Sequence, residues 1–563
     1  MNNNLNIIKG QHNPTCICET LYLATHYAKL IIHKRLRVAA DNTREATAAD
    51  YETVDLNSLS NSKGRTIGAE YVGLSMYRQL GLDRLLERLG LSQVQRQLAA
   101  LSIVGRLVHP GSERRTRKWA QHLSALDELL GTDFTHLSNN ALYRSSDLLL
   151  SHQEEIEEHL RLKERSLFSL TEQIILYDLS NTYFEGDAKG NAKAQRGRSK
   201  DSRHDRPLVT LGLVVDESGF AKSSKIFKGN VNEGETLLHM LEQLQGKKSE
   251  ETATKPESPK AKRGVTVVLD AGIATEDNIK LLKHEGYDYI CVARNKPLKI
   301  SELDSADWLT IKQDKKNKVE AKLIKQADES ILYCKSLLKQ KKEQAMKTQF
   351  QQRFEQALNN IAASLTKKGG TKKYAKVLER IGRQKEKYAA IAHYYQVDVK
   401  HQHGMATAVN WSFEQKEKAE QRFSGSYFLR TSRTDLTSKE IWSLYVMLTN
   451  IEDAFRCLKS DLVLQPVCHQ KEDRVDAHLF TTVLAYHLLI SIQTKLRQHD
   501  IHLRWEHIRD LLASHLRVTT SLTNKDGVRI HIRDCTEPEP FHRAIYKALG
   551  LKLMPLKIKR INI

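Results

Sequence analysis

Residues 174–186 read IILYDLSNTYFEG and residues 265–278 read VTVVLDAGIATEDN. Each is an apolar run that reaches an aspartate, Asp178 in the first and Asp270 in the second. Such a run, bounded by polar residues, reads as a buried strand, and a carboxylate at its end lies where sheet-based sites collect ligands. The pair predicts an α/β core with an acidic group at the end of each of two buried strands. A third stretch, Ser443–Asp461 (SLYVMLTNIEDAFRCLKSD), has no Gly or Pro and repeats its apolar residues at helical spacing. On one continuous helix Tyr445, Leu448, Glu452 and Lys459 fall near one face. Charges at such spacings also describe an ordinary solvated helix face. Asp178, Asp270 and Glu452 together have a sharper use. Three convergent carboxylates can hold two divalent cations about 4 Å apart, clamping both oxygens of a phosphoryl displacement. An all-oxygen donor set favours Mg2+, with Mn2+ able to substitute. The second gap in this series is about twice the first, so it must contain an inserted domain.

These residues resemble a bacterial insertion-sequence transposase of the Asp-Asp-Glu (DDE) type. The resemblance is to the group whose catalytic helix carries a Tyr-Arg-Glu-Lys (YREK) signature. Tyr445, Glu452 and Lys459 match that signature, and Leu448 stands where it has Arg. The similarity continues through HDRPLVTLGLVVDESG (204–219), the GN of FKGNVNEGETL (227–237) and PVCHQKEDRVDAHLF (466–480). It spans roughly Gly68 to Ala513. It implies a ribonuclease-H-like catalytic core, a mixed five-stranded sheet with flanking helices, interrupted by an α+β insertion and preceded by a helical N-terminal domain. It also implies metal-dependent cutting and joining of DNA at terminal inverted repeats by a cut-and-paste route, with a homodimer in the synaptic complex. Asp178, Asp270 and Glu452 would be the catalytic, metal-holding set. Tyr445, Lys459, Arg474 and His478 would contact DNA phosphate. Arg456, one turn beyond Glu452, is the candidate to replace the Arg missing at Leu448.

The chain has 563 residues, too many for one core. It carries 88 Lys and Arg against 68 acidic residues, a formal charge of +20, which favours a polyanion such as double-stranded DNA. By eye no apolar run is long enough to cross a membrane, and the start lacks the basic-then-apolar order of a signal peptide, so the reading is a cytoplasmic, nucleoid-associated protein without a membrane partner. Seven scattered cysteines point to reduced thiols. Cys16 and Cys18, near His12 and His26, lack the paired spacing of a zinc site.

Six segments follow. Residues 1–64 are an extension of unknown role. Residues 65–168 read as a helical DNA-binding domain, with Ser92 capping a helix that runs to Val108. Arg106, Arg114, Arg115, Arg117 and Lys118 cluster there as candidate DNA contacts, against the alternative of a bundle that only packs on the core. Residues 169–296 are the first part of the catalytic core, interrupted by a Pro/Ser/Lys-rich surface stretch, GKKSEETATKPESPKAKRG (246–264). Residues 297–437 are the insertion. It contains a helical hairpin around KKGGTKK and flanking strands, with Trp411 either a core residue or a base-stacking one. Residues 438–498 complete the core with Glu452 and a long apolar helix. Residues 499–563 form a basic C-terminal region, a possible contact for DNA or another subunit. Two other functions compete with transposition: a stand-alone nuclease of the same fold, and a transposase-derived DNA-binding protein that no longer cuts.

Overall fold

Among the described residues, fifteen strands appear in chain order: β1 Val54–Thr66, β2 Ile174–Tyr183, β3 Leu208–Asp216, β4 Ala221–Lys228, β5 Thr266–Leu269, β6 Asp288–Val292, β7 Leu309–Gln313, β8 Lys318–Lys325, β9 Ser330–Ser336, β10 Tyr395–Gln402, β11 Met405–Phe413, β12 Ser426–Thr431, β13 Leu516–Asn524, β14 Arg529–Cys535 and β15 Lys559–Asn562. They belong to a computed structural model that describes residues 51–138, 140–245, 263–293, 307–314, 317–414 and 424–563. Most of the N-terminal extension, with Cys16 and Cys18, lies outside the described residues. So do nearly all of the 246–264 stretch and the expected start of the insertion.

The main sheet has the order β4-β3-β2-β5-β6-β12-β9-β8-β7. β2, β3 and β4 are antiparallel neighbours, while β2, β5 and β6 run parallel. These five strands have the order and senses of a ribonuclease-H-like core. The expected sheet of five is extended to nine, because β12 pairs antiparallel with β6 and carries β9, β8 and β7 beyond it. The edge strand β6, which spells Asp-Tyr-Ile-Cys-Val, would otherwise leave a row of unpaired backbone groups, and strands from the insertion satisfy them.

Alternation along the strands sends side chains to two different cores. Tyr177, Leu179, Val267, Leu269 and Tyr289 pack with Leu237, Met240, Ile279 and Leu282, from the helices Leu237–Gln245 and Glu276–His284. Leu176, Leu211, Leu213, Val268 and Ile290 face the other way, into the large core that holds Leu448, Ile451, Phe455 and the helix Glu472–Arg497. That helix is apolar enough in an 18-residue window to cross a membrane, contrary to the reading by eye, yet 94% of the window is buried inside the protein. It is the central strut of the fold. The helices Gly68–Gln79, Gln93–Val108 and Ala141–Ser151 pack directly on it. Tyr486 donates to the Gly219 carbonyl at 2.7 Å, fixing the strut to the β3–β4 turn.

The separate helical domain expected for residues 65–168 is therefore a layer of the larger unit, sharing one apolar core with the catalytic segments. Local signals in it were sound: Ser92 caps Gln93–Val108 in a capping box with Gln95. Within the insertion, the helices Leu337–Thr366 and Tyr374–Lys387 and the hairpin β10–β11 have their own core around Phe354, Leu358, Ile381 and Val409.

The chain divides into two compact units. The larger comprises Ser60–Ser521 and His531–Ile561. In the smaller, residues 51–59 join Leu522–Ile530 and Asn562–Ile563; there the Thr523 amide donates to Ser58 Oγ at 2.8 Å and Asn524 Nδ2 to Glu52 at 2.8 Å.

Candidate active site

Register brings the two aspartates together. Tyr177 on β2 lies opposite Leu269 on the parallel strand β5, so Asp178 and Asp270 are the next residues on adjacent strands. Both continue the alternation on the side of Leu176 and Val268, the face covered by the helix Leu448–Arg456. Asp178 is partly buried and Asp270 lies exposed just past the end of β5. Burial pushes the Asp178 carboxyl up to about 6; Lys200 opposes this, and the charges of Asp270 and Glu233 add to it.

The third carboxylate arrives on a broken helix. The continuous helix expected over Ser443–Asp461 is in fact Ser438–Val446, then Leu448–Arg456, then a π-helical turn over Cys457–Asp461. Leu448, Ile451 and Phe455 are buried, which leaves Glu452 exposed on the same helix. Asn450 Nδ2 donates to the Glu217 carbonyl at 2.8 Å, fixing this helix beside the β3–β4 turn. Tyr445 connects the set: burial pushes its hydroxyl up to about 12, and the charges of both Asp270 and Glu452 act on it in the same direction. Leu448 is 9% exposed and belongs to the core.

Two cations stand beside the carboxylates. Lys200, from the basic loop between β2 and β3, donates to the Leu179 carbonyl at 2.7 Å and sits 3.9 Å from Asp178 Oδ1. Lys459 is 15% exposed and pairs with Asp201 at 2.8 Å, so it is held by the residue next to Lys200. Arg456 instead pairs with Asp453 at 2.8 Å on its own helix.

Sequence reasoning missed Lys200, Asp201 and Glu233. The first two lie in a loop whose many basic residues gave no reason to prefer one. Glu233 follows the GN motif, and its Oε2 lies 1.9 Å from where a Cβ on Gly272 would be, so a larger residue two after Asp270 would push the Glu233 carboxylate aside. The turn bearing Glu233 is tied to the same loop, since Asn278 Nδ2 donates to the Gly234 carbonyl at 2.8 Å. The glycine of GN has a backbone cause as well: a Cβ on Gly229 would lie 2.0 Å from the Leu208 carbonyl oxygen. In β3 and the GN turn, then, the signal was steric and readable only in three dimensions.

Other expected contacts are placed differently. Arg106 and His478 were read as DNA contacts, yet both are buried and bound to each other, with Arg106 Nη2 2.9 Å from His478 Nδ1. Glu113 completes the group, 3.0 Å from His478 and 2.9 Å from His469. Burial and Arg106 push the His478 imidazole down to about 4. Burial opposes ionisation of Glu113, but hydrogen bonds from His469 and His478 hold its carboxyl far below the usual range. Among the described residues, Glu113, His469 and His478 form a tight group with metal-ligand atoms, all within 4.8 Å of one another. A guanidinium against His478 suits an internal ion-pair network better than a cation site. Arg474 pairs with Asp147 at 3.0 Å and covers the Tyr143 ring. Arg117 donates to the Leu137 carbonyl at 3.0 Å, whereas Arg114, Arg115 and Lys118 are exposed on the helix Glu113–His122. Trp411 is half-buried against the insertion core.

The donor chemistry at Asp178, Asp270 and Glu452 fits a hard divalent ion: oxygen ligands only, the two aspartates on one face, partly open to solvent. Comparison with curated proteins returns no match. The family model described as transposase DDE domain matches residues 171–488, more than half of the chain. The match begins just before β2 and ends inside the helix Glu472–Arg497, enclosing all three carboxylates, and the chain belongs to this DDE transposase family.

Proposed function

We propose that the chain is an active insertion-sequence transposase that binds terminal inverted repeats and cuts and joins DNA by a cut-and-paste route. The observation that carries this is the shared face of Asp178 and Asp270, with Tyr445 under the charges of both Asp270 and Glu452. Divalent ions, Mg2+ or Mn2+, would supply Lewis acidity and an activated oxygen nucleophile at this site. Asp178, Asp270 and Glu452 hold them. Tyr445 donates its hydroxyl to a phosphate oxygen of the DNA. Lys459 exchanges Asp201 for the same phosphate group. The exposed Arg114, Arg115 and Lys118 contact the duplex backbone. The cutting of both element ends implies a homodimeric synaptic complex, acting on the nucleoid in the bacterial cytoplasm.

The test is incubation of the protein with its own element's ends and Mg2+. Joined strands or hairpin ends are expected, and Asp178→Asn, Asp270→Asn and Glu452→Gln each abolish them while DNA binding persists. Nicks without joining would favour the stand-alone nuclease. Binding without any cut would favour the inactive DNA-binding protein.

A further inference from the structure

We propose that the groove between the two insertion helices is a second DNA-binding surface, one that takes backbone phosphates of duplex DNA away from the reacting bond. It rests on the transposase reading for its partner and on a separate part of the chain for its evidence.

The charge of this segment is out of proportion to its length. Residues 337–387 contain fourteen Lys and Arg and four Glu, a net +10, which is half of the whole chain's +20 in less than a tenth of its residues. The helices Leu337–Thr366 and Tyr374–Lys387 enclose a cavity of about 560 Å³. Arg353, Arg380, Arg383 and Lys387 line it together with the amides of Gln356 and Asn360, and no carboxylate does. Three of the four glutamates are engaged: Glu343 accepts from the Gly425 amide at 2.6 Å, Glu355 from the Tyr395 hydroxyl, and Glu379 from Arg383. Arg380 is braced by Ser364 Oγ at 3.0 Å.

The groove is also firm. Phe354, Leu358, Ile361, Val377 and Ile381 are buried beneath it and hold the helices together. Packing alone would not select four cations around one cavity, since like charges at close range oppose one another. A bound anion removes that penalty. On the helix Tyr374–Lys387, Arg380, Arg383 and Lys387 recur at steps of three and four, so these cations share one face, and Arg353 meets them from the other helix. Four more lysines, 367, 368, 372 and 373, extend the row at the hairpin turn. A single free phosphate would use a few of these donors. Duplex DNA, with a charge every 1.7 Å or so along its axis, would use the row. The amides are hydrogen-bond donors to the same oxygens.

The test uses the full chain, with the double variant Arg353→Glu/Lys387→Glu, both exposed positions, checked by thermal melting. Binding to duplex DNA carrying the element's end is measured from low to high salt. The expected result is an unchanged melt, a slope of log affinity on log salt shallower by about two, and affinity at 0.1 M salt lower by about ten- to a hundredfold. Unchanged slope and affinity would overturn the proposal. So would inorganic pyrophosphate binding that the variant loses while its duplex binding stays at the wild-type level, which would make the groove a small-phosphate site. Cleavage and joining are followed on the same proteins: wild type that binds duplex but neither cuts nor joins removes the transposase reading, and the salt slopes still decide the groove.

Discussion

Restoring the family arginine should harm this protein. Leu448 stands where the resembled signature has Arg, and its side chain is 9% exposed beside Ile451 and Phe455. Leu448→Arg forfeits the burial of a leucine, about 1.5–3 kcal/mol. It also places a guanidinium against an apolar core, and an uncompensated buried charge costs about 3–5 kcal/mol. The long side chain recovers part of this by extending toward water. A net loss of about 3 kcal/mol is expected. For a urea dependence of about 3 kcal/mol per molar, the unfolding midpoint falls by about 1 M. Leu448→Met, which conserves volume, should cost less than about 1.5 kcal/mol. Urea titrations followed by fluorescence measure both, and cleavage per folded molecule should not rise in the Arg variant. An Arg variant as stable as wild type that cuts faster would refute the reasoning, because position 448 would then face DNA and not the core.

Metal binding should weaken on acidification: with the Asp178 carboxyl at about 6, each pH unit below that costs divalent affinity up to about tenfold through proton competition, measurable by Mn2+ titration at pH 7.5, 6 and 5. The sign for stability is opposite. This group's pKa is raised on folding, so its penalty is absent below its ordinary value near 3.8, grows as pH rises to about 6 and is full above, and Asp178→Asn should remove that pH dependence from metal-free melts. Glu113→Gln leaves the Arg106 guanidinium, 4% exposed, without its carboxylate, and should cost about 3–5 kcal/mol in urea unfolding. His478, pushed down to about 4, contributes the opposite slope: stability is full above its ordinary value near 6.5 and is lost as pH falls to about 4, a loss that His478→Gln should abolish in melts at pH 7 and 5.

What the sequence disclosed follows the range of the forces involved. Apolar runs and their parity fix which face a residue takes, so β2, β5 and the helix Glu472–Arg497 were legible along with Asp178 and Asp270. Capping is equally local, as Ser92 shows in accepting from the Gln95 amide. Partners of charged residues were not legible. Arg106 looks like Arg114 in a one-dimensional pattern, but Arg106 meets His478, 372 residues away in sequence. The nine-stranded sheet was hidden for a similar reason. A strand's neighbours depend on which edge is open, and β6 receives β12 only after the whole insertion has intervened.

The position of Lys200 gives the site a consistent electrostatic logic. Asp178 feels the charges of Asp270 and Glu233, and burial removes the water that would screen them. At 3.9 Å, a lysine offsets one of these charges by about 1 kcal/mol in water and up to about 4 at an effective dielectric of 20; half-exposed, Lys200 belongs near the lower figure. That is enough to hold the carboxylates near one another and too little to compete with a divalent cation. Asp201 does for Lys459 what Lys200 does for Asp178, pairing its charge at 2.8 Å. The loop between β2 and β3 thus satisfies one acid and one base of the site by adjacent residues. Under the proposed function, cation and DNA would release both contacts at once, so the loop that steadies the free protein would also be the part that yields.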